Sequence, residues 1–392
     1  MPEPAESPVV LQVLPSLVTG GVERGTVEIT QAITEAEGIA LVASAGGPMT
    51  RLVERAGGTH LALPLTSKAP WRIWRNAAAL ERIIREHRVS LVHARSRAPA
   101  WSAWIASRRT GVPFVTTYHG AYGEDLPLKR AYNAVMARGR MVIAASHFIA
   151  DLVMRQHGVP AERLRVIPRG VDPALFDPAA VAGARIAKLA ETWSLPHDAR
   201  IVMLPGRLTA WKGHGILLEA IARLGRREVM AVLVGSHQGR HHYAEALQRQ
   251  ADALGIAEQL RLVGQCDDMP AALMLADIVV HASTKPEAFG RVVIEAQAMA
   301  RPVIAADLGG PVETVRHGET GWRVPPGDAE ALAAMLALAL DLPPEDRAAL
   351  GARARASVPT VRAMQDATLD VYEAVLTAPT RGTDHPLAPR PA

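Results

Sequence analysis

The chain has 392 residues, 49% of them hydrophobic and only 4% aromatic, with a formal net charge of +4 and one cysteine. That length exceeds a typical domain, so two domains of about 150 to 200 residues each are expected. A composition rich in Ala, Val and Leu belongs to helices packed on parallel sheets and excludes a disordered chain. The lone thiol, Cys266, excludes an intramolecular disulfide framework and fits a reducing compartment, and no group of Cys and His has zinc-ligand spacing.

The opening MPEPAESP is acidic and proline-rich and lacks the basic segment and long apolar core of a signal peptide. No apolar run approaches the roughly 18 to 20 residues that span a bilayer. A cytoplasmic protein is expected. Charge is unevenly placed: residues 51 to 110 hold twelve Lys/Arg against three acids, a local charge of +9. Such a face can attract a phosphate-bearing acceptor, a membrane surface or nucleic acid, or can simply be solvated.

In chain order, short apolar runs alternate with helical patterns: VVLQVLP (9 to 15), IALVAS (39 to 44), HLALP (60 to 64), VSLVHA (89 to 94), PFVTTYHG (113 to 120), MVIAAS (141 to 146) and LRVIPRGVD (164 to 172). Each reads as a strand buried on both faces, the mark of βα units on a parallel sheet. The series restarts with RIVMLPGRL (200 to 208), VMAVLVG (229 to 235), LRLVGQ (260 to 265), DIVVHAS (277 to 283) and RPVIAAD (301 to 307). Proline and turn residues place a linker with one short helix near 173 to 198. Two doubly wound α/β domains follow, with a ligand crevice expected at the C-terminal ends of their strands. A helical pattern covers about 361 to 376, and the polar, proline-rich 377 to 392 reads as a disordered tail.

Four stretches carry chemistry. In PGRLTAWKG, Arg207 and Lys212 flank a strand-to-helix turn, and two cations there suit a diphosphate, although a surface Arg and a surface Lys would read the same way. Gly20 and Gly21 close the first strand before a helix, which allows an anion or a close ligand there as well as a plain tight turn; no G-x-G-x-x-G occurs. His119 ends the fifth strand at the crevice edge, and Ser146 reads as a helix N-cap. Finally, KPEAFGRVVIEA sets Glu287 in a turn and Glu295 eight positions on, in the first turn of a helix beginning near Val292. The amides of Gly290, Arg291, Val292 and Val293 would point outward, ready for phosphate. A carboxylate accepts two hydrogen bonds side by side, so each acid could grip a vicinal diol. Two rings flanking one diphosphate describe a nucleotide sugar.

PEAFGRVVIEA is similar to the E-x7-E motif of retaining GT-B glycosyltransferases of the family-4 type (glycosyl transferases group 1), and MARPVIAADLGGPVETVRHGETGWRVPPGD resembles the stretch that follows it. GRLTAWKG, VIPRGVD, the HG at 119 to 120 and TGGVER match in order and spacing, over roughly residues 9 to 330. Two departures stand out: Arg169 where that family usually has Asn, and Ala288 where it has Gly or Pro.

The resemblance implies a GT-B architecture of two Rossmann-like domains facing across a cleft: an acceptor-binding domain over 1–180, a nucleotide-sugar domain over 195–360, and a final helix packing back on the first. It implies that Glu287 contacts donor-sugar hydroxyls beside the amides of Phe289, Gly290, Arg291 and Val292. Glu295 would bind the ribose diol, and Arg207 and Lys212 would neutralise the diphosphate. Gly20 and Gly21 would line the phosphate side, with His119 near the reacting carbon. Metal and cofactor are not expected, since no D-x-D clamp occurs. The reaction implied is transfer with retention from a nucleotide sugar, UDP-linked. The +9 stretch and APWRIWRN (69 to 76), with Trp71 and Trp74, fit a cell-envelope glycan, lipopolysaccharide or lipid-linked acceptor at or near the inner face of the cytoplasmic membrane. A nucleotide-sugar epimerase, a phosphorylase or a non-catalytic sugar-nucleotide binder remains open on the same fold. Nucleic acid is disfavoured because the aromatics do not interleave with the basic run.

Overall fold

A computed structural model of the chain describes residues 7–18, 20–123 and 126–378. Among them, thirteen strands form two sheets. The first holds β1 (Val9–Val13), β2 (Ile39–Ser44), β3 (Thr59–Ala62), β4 (Leu91–Ala94), β5 (Phe114–Tyr118), β6 (Met141–Ala144) and β7 (Leu164–Val166) in the order 3-2-1-4-5-6-7. The second holds β8 (Arg200–Pro205), β9 (Val229–Val234), β10 (Leu260–Gly264), β11 (Ile278–His281), β12 (Val303–Ala306) and β13 (Trp322–Val324) in the order 10-9-8-11-12-13. β1 runs parallel to both β2 and β4, and β8 to both β9 and β11. The α/β class expected from the repeated apolar runs is what the chain adopts.

The central strands are Val, Ile and Leu runs covered on both faces; β1, β4, β5, β9, β11 and β12 are buried throughout. The edges depart from that expectation. No residue of β3 is fully buried, because an edge strand has a neighbour on one side only. β7 stops at Val166 instead of reaching 172, and Gly170 lies so close to the Thr360 carbonyl that a Cβ would stand 2.1 Å from it. β13, three residues inside GWRVPPGD, is too short to leave a period in the sequence.

In each sheet the strand order reverses once, between β1 and β4 and between β8 and β11. At such a switch the loops leaving two neighbouring strands turn to opposite faces and open a hollow at the C-terminal strand ends. The expected linker contains one α-helix, Gly183–Thr192, after a short 3-10 turn at Pro178–Ala180, and Arg185 ties the α-helix to Asp268 at 2.6 Å.

Spatial proximity groups the described residues up to 116, those in 138–142 and those from 366 to 378 in one compact unit, and the described residues in 117–137 and 143–365 in another. The strands change sheet between Val166 and Arg200, at the expected linker, whereas the unit boundary falls earlier, within β5. The last helix, Val361–Thr377, brings the Tyr372 hydroxyl 2.6 Å from His93 Nδ1 of β4 in the first unit. The tail expected to be disordered lies, from residue 379 on, outside the described residues. No helix among the described residues is long and apolar enough to cross a membrane.

Candidate functional site

The two loops that leave β8 and β11 meet at the switch of the second sheet. After Pro205 the chain passes Gly206 and Arg207 into a single 3-10 turn, Ala210–Lys212, and then Gly213 at φ 78. A Cβ on Gly213 would stand 1.9 Å from the Ala282 carbonyl, so glycine is required there both for the left-handed backbone and for the close approach. The amide of Thr284 donates to the Trp211 carbonyl at 2.8 Å. These contacts bring Lys212 over the end of β11.

There Glu287 is the focus of three donors. Lys212 Nζ lies 2.6 Å from its Oε1 and His281 Nε2 lies 2.7 Å from the same oxygen. The Ser283 hydroxyl also donates to Oε1. All three assigned donors fall on one oxygen; Oε2 has none among the described residues. Burial pushes the Glu287 carboxyl up, but the hydrogen bond and charge of His281 and the charge of Lys212 outweigh it and hold the group well below the usual carboxylate range. The site therefore carries a fixed anion with one free face.

Glycines let a second loop support this one. The stretch after β12 runs alongside 286–290, bridging Glu287 to Gly309, with the Gly310 amide donating to the Glu287 carbonyl at 2.8 Å. A Cβ on Gly309 would stand 2.7 Å from the Glu287 carbonyl oxygen, and one on Gly310 would stand 2.3 Å from that of Ala288. Gly290, left-handed at φ 81, caps the helix Arg291–Ala298, and a Cβ there would strike the Pro311 ring.

The other expected residues stand as follows. The helix begins at Arg291, so Glu295 sits beyond its first turn; it is buried and its Oε1 lies 3.1 Å from Arg291 Nε. Neither acid thus offers two unoccupied oxygens to a diol. The Val293 amide is already spent on the Gly290 carbonyl, and the Phe289 side chain is buried packing. Val292 lies in the first turn, half-buried. Arg207 is exposed, with no side-chain partner among the described residues. His119 follows β5 directly and is contacted by the buried guanidinium of Arg169, the position where the resembled family usually has Asn. Gly20 and Gly21 open the helix Gly21–Glu35, but the Glu23 carboxylate reaches within 2.7 Å of where a Gly20 Cβ would stand, so an acid of the chain already lies over that helix start. Ser146 does cap its helix, accepting from the Ile149 amide, and Glu313 takes the amides of His147 and Phe148 at 2.9 and 2.7 Å.

His281 and Ser283 were not singled out from the sequence. Both belong to the run DIVVHAS, two apart and hence on one side of an extended chain, and a polar pair at the end of an otherwise apolar strand was the available signal. His214 was also passed over. It is fully buried directly behind Lys212-Gly213, with Tyr243 Oη 3.4 Å from its Nδ1. Burial lowers its pKa to about 4, the Lys212 charge adds to the fall, and the Thr209 and Gly206 backbones oppose it.

Two family models divide the chain: "Glycosyltransferase Family 4" matches residues 19–175 and "Glycosyl transferases group 1" matches 186–357. A D-inositol 3-phosphate glycosyltransferase of Streptomyces scabiei is 32% identical over 73% of this chain and 68% of its own. The chain belongs to this glycosyltransferase family. A glycosyltransferase structure from Rickettsia africae shares 33% identity with a TM-score of 0.88, covering 95% of this chain and 99% of that one. The structure of Anabaena Alr3699/HepE in complex with UDP-glucose shares 26% identity with a TM-score of 0.82, covering 93% and 99%.

The cluster sets an ammonium against a carboxylate that His281 and Ser283 hold as well. Arg207, on the same loop, is a second, exposed cation with no side-chain partner among the described residues.

Proposed function

We propose that this glycosyltransferase moves a sugar from a UDP-linked donor to an acceptor hydroxyl with retention of configuration and without a metal ion. The observation that carries the reading is the Lys212 and Glu287 pair at the ends of β8 and β11. In this reading Lys212 and Arg207 neutralise the diphosphate, Glu287 accepts a hydrogen bond from a donor-sugar hydroxyl at Oε2, and Glu295 accepts one from the ribose. The amides at the start of the Arg291–Ala298 helix face the phosphates, and His119 stands near the anomeric carbon. The bond from that carbon to the diphosphate oxygen breaks with its electron pair staying on the nucleotide. The acceptor oxygen bonds to the same face, and its proton passes to the departing phosphate.

The acceptor proposed is a cell-envelope glycan or a lipid-linked sugar reached from the cytoplasmic side of the membrane, since residues 51 to 110 carry a local charge of +9. A second reading, a soluble phosphorylated polyol, is supported by the relatives named D-inositol 3-phosphate glycosyltransferases. A melting-temperature panel of UDP-, GDP- and ADP-sugars tests the donor, because a ligand that binds the native state raises the midpoint. A rise confined to UDP-sugars is expected; no rise with any of them overturns the reading. Incubating the responding donor with lipid-linked and inositol phosphate acceptors then separates the two acceptors, and the anomeric configuration of the product tests retention.

A further inference from the structure

β3, at the edge of the first sheet, hands the chain through Leu63 and Pro64 to the helix Pro70–Glu86. Asn76, Ala77, Leu80, Ile83 and Ile84 form the buried stripe that seats this helix. Its outer face is unlike an ordinary solvated one. Trp71 and Trp74 are 61% and 56% exposed, and Arg72, Arg75 and Arg82 stand out beside them. Trp71 and the three arginines, with Leu63 and Pro64, line an open groove of about 680 Å³.

The cations of this groove are uncommitted. Arg75 and Arg82 make no side-chain hydrogen bond or ion pair among the described residues, even though Glu86 lies four positions beyond Arg82. The guanidinium of Arg72 has the Trp71 ring 4.9 Å away. Glu81 is turned to Arg85 and Arg109, at 2.9 and 3.3 Å. Guanidinium forks bind phosphate oxygens two at a time, and an indole with a wet edge is most stable where water meets acyl chains. A site for soluble phosphate alone would have no use for two projecting indoles.

We propose that this face docks on the anionic head groups of a lipid bilayer, with Arg72, Arg75 and Arg82 on the phosphates and Trp71 and Trp74 at the interface. The surface is used without a spanning segment: the helix lies along the membrane, anchored by charge and by its two rings. It would hold the protein where a lipid-linked acceptor resides, but the docking itself does not depend on the transferase reading.

The test uses the full chain and vesicles, without any sugar. Sedimentation with equimolar phosphatidylglycerol and phosphatidylcholine at low ionic strength should carry the protein into the pellet, and phosphatidylcholine alone should not. Arg72→Glu/Arg75→Glu/Arg82→Glu should lower the partition by at least about a hundredfold, since losing each basic residue near an anionic surface is worth about fivefold and the added carboxylates repel the head groups further. Trp71→Ala/Trp74→Ala should weaken binding while leaving its salt dependence. Both variants should keep the wild-type melting temperature and its rise with a UDP-sugar, which separates failure of docking from failure of the donor assignment. Equal partition onto both vesicle types, or wild-type binding by the triple variant, would overturn the proposal. So would release by inorganic phosphate at concentrations too low to screen charge, which would mark a soluble-phosphate site instead.

Discussion

The amide of Gly310 donates to the carbonyl of Glu287 at 2.8 Å, and there is no space between their loops for a side chain at residue 310. Gly310→Ala would drive its methyl into the Ala288 carbonyl and push the loop bearing Glu287 out of place. Overpacking of this kind costs about 1 to 3 kcal/mol. The variant is expected to melt earlier and to lose most donor affinity, measurable by calorimetry and by titration with UDP. Wild-type values for both would mean that this contact does not position Glu287.

Lys212 and Arg207 separate a buried role from an exposed one. Each alanine variant should reduce kcat about a hundred- to a thousandfold, the usual effect of removing one preorganised charge donor. Arg207→Ala should leave the melting temperature unchanged, because that side chain is exposed and has no partner among the described residues. Lys212→Ala should cost some stability, because it removes one of three donors from a mostly buried carboxylate. Near-normal turnover in both variants would refute the diphosphate assignment.

His281 acts through Glu287. A hydrogen bond to a charged group is worth about 1.5 to 3 kcal/mol, so His281→Leu should lower kcat/KM about ten- to a hundredfold. His281→Asn, which restores a donor, should recover part of the loss. Steady-state kinetics with varied donor distinguishes this from a simple packing defect, in which Leu would be the better tolerated of the two.

His214 predicts a pH dependence of stability. Its folded pKa is about 4 against an ordinary 6.5, so below pH 6.5 the unfolded chain binds a proton that the native chain refuses. Its contribution is complete above 6.5 and is lost progressively toward pH 4, about 3 kcal/mol in all. Glu287 has the carboxylate sign: its contribution is present above its ordinary value of 4.5 and is lost only as the pH falls further, toward its depressed folded pKa. Denaturant melts from pH 7 to 4 should therefore show a decline that His214→Asn flattens. Parallel slopes in the two proteins would contradict the buried neutral imidazole.

Chelation gives the last expectation. If the charge on the leaving diphosphate is met by Lys212 and Arg207, as proposed, EDTA should leave the rate within about twofold. A loss restored by a divalent cation would show that a metal ion takes part in the reaction.

Much of this architecture was legible in the sequence because buried parallel strands advertise themselves as unbroken apolar runs. β2 and β9 illustrate it: nothing in IALVAS or VMAVLV competes with the extended, doubly covered reading. What failed was local. β13 has three residues, below the length at which a period can be recognised. Glu295 fell in the wrong turn because the left-handed cap at Gly290, not an apolar residue, starts the helix. The pair Lys212 and Glu287 could be nominated from loop position, but the convergence of Lys212, His281 and Ser283 on one Glu287 oxygen could not. Which atoms converge depends on Gly213 touching Ala282 and Gly310 touching Ala288, approaches between segments about 70 and 20 residues apart that no single window of sequence contains.

The crowding of Lys212, His281 and Ser283 onto Oε1 bears on the ligand capture proposed above. Were the ammonium to swing to an arriving nucleotide, the other two neighbours would keep the carboxylate shielded, so the swap would trade one charge contact for another and strand no bare ion. Occupancy would then switch on and off with little rearrangement of the frame, as a catalyst that must release its spent nucleotide every cycle requires.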